Sequence, residues 1–255
     1  MKTYVFSIVM NILIVTSLSG KIVNGYEPDI NVARDGLKKL NELMNKPMSP
    51  IEKRRLTEHS ARLKDFVLYH ELTQRLLFQF KLMFPGMYNA VDSIKDAESR
   101  SVDVYVKFLP IEKMVGNVAG TANVPLDDEG NIYSSNYGPH TVSISIVAEN
   151  HALSLLAHEF GHVKYLVPNI ATYRKFYIKH YNIVSADLEG IGHHHMDPSG
   201  QTALEFEKQF RLNLDSYLKN NGARPQRVMS LIESIEKNLE FLTSDSPLVA
   251  TLGLR

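Results

Sequence analysis

Cysteine and tryptophan are both missing from the 255 residues, and neither sign of charge is in surplus, with 28 lysines and arginines against 28 aspartates and glutamates. The lack of cysteine excludes a disulfide framework, a thiol nucleophile, a cysteine-held iron-sulfur cluster and every cysteine-ligated zinc site. Any metal that binds must therefore draw its ligands from histidine, aspartate and glutamate. The lack of a basic excess removes the electrostatic footprint that nucleic acid or an anionic membrane surface would require, so neither is expected as a partner. What remains is ordinary globular composition, 44% hydrophobic and 22% charged. Such a chain is long enough to bury on the order of 70% of its unfolded surface without cross-links.

The amino terminus resembles a secretory signal. Met1-Lys2-Thr3 carries one positive side chain, Tyr4 to Val15 is almost uninterruptedly apolar, and Ser17-Leu18-Ser19 places small residues where an export peptidase cuts. The apolar run falls well short of the roughly 20 residues a spanning helix needs, so no stable membrane anchor is expected. The expectation is a secreted or periplasmic monomer beginning after residue 19. Removing the segment leaves 27 basic against 28 acidic groups, so the charge balance persists. Ile22-Val23-Asn24-Gly25 resembles the amino terminus of an activated chymotrypsin-like protease. The chain has no Gly-Asp-Ser-Gly-Gly run, however, and these four residues are expected to form a loop.

Hydrophobic periodicity then divides the chain. Helical patterning runs from Asn31 to about Phe84, with Leu37, Leu40, Leu43 and Met44 on one stripe and a second, longer helix from Ser49-Pro50 toward Leu82. Val102, Val104, Val106 and Phe108 alternate, as do Val142, Ile144 and Ile146, which predicts two half-buried strands. Asp127 to Asn131 reads as a turn between them. Helical periodicity returns after Asn150, with interruptions expected near Pro168, around Gly190 to Gly200 and at Gly222 to Pro225. Helices, a small sheet and helices again describe an α+β protein. The expected organisation is a signal peptide over 1–19, an N-terminal lobe over 20–166 and a helical C-terminal lobe over 167–255.

Chemistry concentrates in Leu155-Leu156-Ala157-His158-Glu159-Phe160-Gly161-His162. Histidines four apart on a helix differ by about 40° around the axis and about 6 Å along it, so both imidazoles can reach one metal ion. The carboxylate of Glu159 stands beside them, where it can contact a metal-activated water without occupying the metal, as a general base does. Asn150 is expected to cap this helix, and Ala152, Leu155, Leu156 and Val163 supply the apolar stripe that buries it beneath a sheet. Gly161 costs roughly 1 kcal/mol of helix stability relative to alanine, which points to close approach by another backbone.

At these residues the sequence resembles the zincin metallopeptidases, whose HExxH helix binds zinc. The resemblance covers Thr141 through Tyr165 and implies a zincin-like fold, mainly helical with a small mixed sheet packed over the motif helix. The metzincin extension, a glycine and a third histidine within six residues, is absent from Val163 to Pro168, so the similarity is to the gluzincin-like branch, where a glutamate on a later helix completes the site. Asp197-Pro198 opens such a helix, running from Gln201 to about Leu218. Its apolar stripe is Ala203, Phe206, Phe210, Leu214 and Tyr217, with Glu207 at the edge and Glu205 on the opposite side. A carboxylate against a buried face is costly unless paired or metal-bound, which favours Glu207 as third ligand over Glu205, Glu189 and the Asp187 and His193-His194-His195 region. The three adjacent histidines cannot all face one ion, and they fit either an exposed loop or one supporting hydrogen bond to the site. Nothing in the pattern selects among Tyr165, Tyr173 and Tyr177 for a role beyond packing.

The resemblance thus implies a zinc-dependent metalloendopeptidase acting on a peptide or protein substrate, with Zn2+ on His158, His162 and Glu207 and with Glu159 as base. The Thr141 to Val147 strand is expected at the sheet edge, where an extended substrate adds as a further strand. Two alternatives stand beside this: a secreted non-catalytic binding protein retaining the fold, and a toxin-like protease with a single protein target.

Overall fold

The computed structural model describes residues 20–114, 119–124, 134–135, 137–148, 152–181 and 198–220. The signal-like segment, Asp127 to Asn131, Asn150, Glu189, His193 to His195 and Asp197 lie outside the described residues, as does everything after Asn220. The protein is mainly helical with one small mixed sheet.

The first long helix, α1 (Ile30–Met44), is followed by α2 (Pro50–Met83). The boundary between them is written locally. Ser49 caps α2 by accepting from the Glu52 amide, while the Glu52 carboxylate accepts from the Ser49 amide 2.9 Å away. These reciprocal bonds satisfy donors that the helix cannot satisfy itself, and Pro50 occupies the first turn, where no N–H is needed. On α1 the buried residues are Ile30, Ala33 and Leu40, whereas Leu43, expected on the apolar stripe, is exposed. A short helix, α3 (Pro85–Asp92), follows a break at Phe84.

Strand β1 (Ile22–Asn24) is the segment expected to be a loop. It forms a strand because β2 (Asp103–Leu109) offers it a parallel partner, pairing Ile22 with Val104 and Asn24 with Val106. Gly20 makes this docking possible, since a Cβ at that position would lie 2.2 Å from the Val102 carbonyl oxygen. The remaining strands are β3 (Gly120–Asn123), a small hairpin of β4 (Ser134–Ser135) and β5 (Gly138–Pro139), and β6 (Thr141–Val147).

The main sheet has the order β1-β2-β6-β3, with β1, β2 and β6 parallel and β3 antiparallel to β6. Both alternating runs adopt the expected strands, and their registers stack Val104 on Val142, Val106 on Ile144 and Phe108 on Ile146, all of them buried. The edge expectation fails. Strand β6 is interior, because β2 takes one side and β3 the other, so among the described residues the outer strand nearest the motif helix is β3.

Helix α4 (Ala152–Tyr181) carries the motif and runs unbroken through Pro168, so the boundary expected between residues 166 and 167 falls inside a helix. Proline there removes one intrahelical hydrogen bond. The buried face of Val163, Leu166, Val167, Ile170 and Tyr173 continues past it and offsets that loss. Helix α5 (Pro198–Asn220) packs along α4. Among the described residues no helix is long and apolar enough to cross a membrane.

An aromatic cluster joins three helices beneath the motif. Phe80 of α2 lies edge-on to Phe160 of α4 at 5.3 Å and stacks on Phe210 of α5 at 6.0 Å, and Phe210 lies 4.7 Å from Phe84. All four rings are buried. Phe160 stands between the motif's glutamate and its glycine, so the turn that carries the motif is anchored in the core.

Candidate active site

Helical geometry separates the motif residues by direction. With 100° per residue, His158, Gly161 and His162 share one face, Glu159 lies to one side of it and Phe160 points the other way into the core. The structure places a different neighbour against each side: α5 covers the histidine face, and β3 lies over Glu159.

His158 and His162 have ring centroids 4.9 Å apart at an interplanar angle of 76°. His158 is almost completely buried, whereas His162 is half-buried and is the member of the pair that reaches the surface. Glu207 of α5 lies with Oε2 3.0 Å from His158 Nδ1, across 49 residues of sequence, and its side chain is 1% exposed. Glu205 is exposed. Of the stripe predicted for this helix, Ala203, Phe210 and Leu214 are buried, Phe206 is half-buried and the side chain of Tyr217 lies outside the described residues; Glu207 sits within the buried stripe rather than at its edge, together with Ser199. His162 Nδ1 has its own partner on the same helix, the Oγ of Ser199 at 2.8 Å. Nothing in the sequence pattern had drawn attention to Ser199, because its significance depends on a contact 37 residues away.

Gly161 accounts for the closeness of the two helices. A Cβ on it would lie 2.5 Å from Ala203 Cα and 2.8 Å from the Thr202 carbonyl oxygen. The approaching backbone expected from this glycine is that of α5. The contacts run His162 to Ser199, Gly161 to Ala203 and His158 to Glu207, so the helices are antiparallel across this patch.

Glu159 is 4% exposed. Burial pushes its carboxyl up to about 7; the nearby His158 acts in the opposite direction, and Glu207 adds to the rise. A Cβ on Gly120 would lie 2.7 Å from Glu159 Oε1. The first residue of β3 therefore lacks a side chain where the carboxylate needs the space, a second feature that the sequence pattern did not reveal. Tyr173 is buried with its ring 6.0 Å from that of Tyr165, and the side chain of Tyr177 lies outside the described residues.

Two imidazoles and buried carboxylates on adjoining faces form a donor set of nitrogen and oxygen, the types zinc takes when thiolates are absent. Among the described residues, no three histidine, aspartate or glutamate side chains already converge as a ligand shell. The Glu207 carboxylate instead spends one oxygen on His158 Nδ1. In chemistry the donors fit zinc. No family model, curated protein or solved structure matches the chain.

Proposed function

We propose that this chain is a secreted zinc-dependent metallopeptidase of zincin type. The observation that carries the proposal is the cluster of buried His158 and Glu159 with half-buried His162, to which α5 adds buried Glu207 from a distant part of the chain. Burying two carboxylates beside the His158 imidazole costs free energy, and a metal site is one of the few arrangements that offsets it.

His158 and His162 would hold the ion through imidazole nitrogen, and Glu207 would supply the carboxylate, exchanging its hydrogen bond to His158 for the metal. Zinc in such a site supplies a Lewis-acidic centre that polarises a carbonyl group and acidifies water. Glu159 does the proton work. Its carboxylate would accept a proton from the attacking water and return it to the departing amide nitrogen. His162, half-buried, is the motif residue through which solvent and substrate would reach the site. An extended peptide would pair with the outer edge of β3, rather than with β6, whose two edges are already taken.

The test combines zinc content with turnover. Wild type is expected to hold one zinc and to cleave a peptide substrate. Glu159→Gln should keep the zinc and lose turnover, Glu207→Ala should lose the zinc, and Glu205→Ala should keep both. Metal-free wild-type protein, or a Glu159→Gln variant that still cleaves, counts against the proposal.

A further inference from the structure

Both motif histidines meet one helix through their Nδ1 atoms. Ser199 is 1% exposed, and its Oγ lies 2.8 Å from His162 Nδ1, while Glu207, two turns further along α5, meets His158 Nδ1. The turn carrying Ser199 is closed by Thr202 Oγ1, which donates to the Pro198 carbonyl at 2.9 Å. Gly161 supplies the clearance that lets this helix come so near.

We propose that Ser199 is a positioning residue for His162, its hydroxyl accepting a hydrogen bond from Nδ1–H and so holding the ring in the tautomer whose Nε2 carries the lone pair. Two ring nitrogens compete for one proton in neutral imidazole, and the partner of one nitrogen decides the role of the other. A hydroxyl suits this position better than a carboxylate, because Glu159 and Glu207 already place two buried acids beside the motif and a third would add repulsion. Ser199 thus orients the half-buried histidine without adding charge. The importance of that orientation for zinc rests on the proposed role of His162 as a ligand, but the tautomer itself does not.

Two measurements on the full chain test this. The first is the ring 15N NMR spectrum of metal-free wild type and Ser199→Ala, taken above neutral pH. The second is zinc affinity of both proteins, by competition with a chromophoric chelator. The expected results are an Nδ1–H tautomer for His162 in wild type, a mixed or reversed tautomer in Ser199→Ala, and a zinc affinity lowered by about 10- to 100-fold in that variant. An Nε2–H tautomer in wild type, an unchanged tautomer in the variant, or an unchanged affinity in a protein that binds zinc overturns the proposal. If wild type binds no zinc, the peptidase proposal fails while the ring spectra still decide the role of Ser199. If Ser199→Ala does not fold, the wild-type spectrum alone decides it.

Discussion

Glu159 is a carboxyl group that the fold keeps from water, and its cost to the metal-free protein depends on pH. Its pKa lies near 7 in the folded state against 4.5 for the free group, so the folded protein binds the extra proton between those values. The sign follows directly. The contribution of Glu159 to stability is fully present below about pH 4.5, is lost as pH rises toward 7, and beyond that leaves a constant penalty on the order of 3 kcal/mol. Glutamine has the same shape and no charge. Glu159→Gln is therefore expected to raise the stability of metal-free protein above neutral pH and to change it little at low pH, as urea unfolding at several pH values would show. A difference independent of pH would mean that the carboxyl is hydrated. The identity of this residue and its two histidines was legible in the sequence, because a helical repeat of four needs no tertiary information. Its burial was not, since that depends on Gly120 arriving from another strand.

Between elements, the decisive contact is the crossing of α4 and α5 at Gly161. Alanine is the better helix former by roughly 1 kcal/mol, so propensity alone would make Gly161→Ala stabilising. The crossing reverses the sign, because the added methyl would collide with Ala203 Cα and with a carbonyl oxygen, neither of which can turn aside. Gly161→Ala is expected to lower stability by about 1–3 kcal/mol and to weaken the proposed zinc binding, since α5 carries both Ser199 and Glu207. Gly36→Ala in α1 is the control. Only the Leu63 Cδ1 methyl lies 3.0 Å from a Cβ there, and a flexible side chain can move. Destabilisation of both variants to the same degree would remove the argument from the crossing. The alternating strands and the long α2 from Ser49-Pro50 were readable locally. The strand formed by Ile22 to Asn24 was not, because a three-residue edge strand gains its backbone hydrogen bonds only once β2 is beside it.

At the level of the whole molecule, the Phe80, Phe84, Phe160 and Phe210 cluster fastens the site to the core. Phe210 is fully buried and touches rings from α2 and from the segment joining α2 to α3. Phe210→Ala is expected to cost about 3–5 kcal/mol in equilibrium unfolding. It should also lower zinc affinity, because α5 would lose its hold on the core while keeping Ser199 and Glu207. A loss below 1 kcal/mol would indicate that α5 is not part of the cooperative core. Composition by itself determined which ligand types were available, and periodicity determined most of the helices and both central strands, because each depends on residues within one or two turns or along one strand. Only the tertiary structure decided that β3 rather than β6 is the outer strand among the described residues, that Glu207, which periodicity already favoured over Glu205, lies against His158, and that Ser199 stands beside His162. Those outcomes rest on contacts spanning 37 and 49 residues and on clearances left by missing side chains, which packing creates and local sequence does not encode.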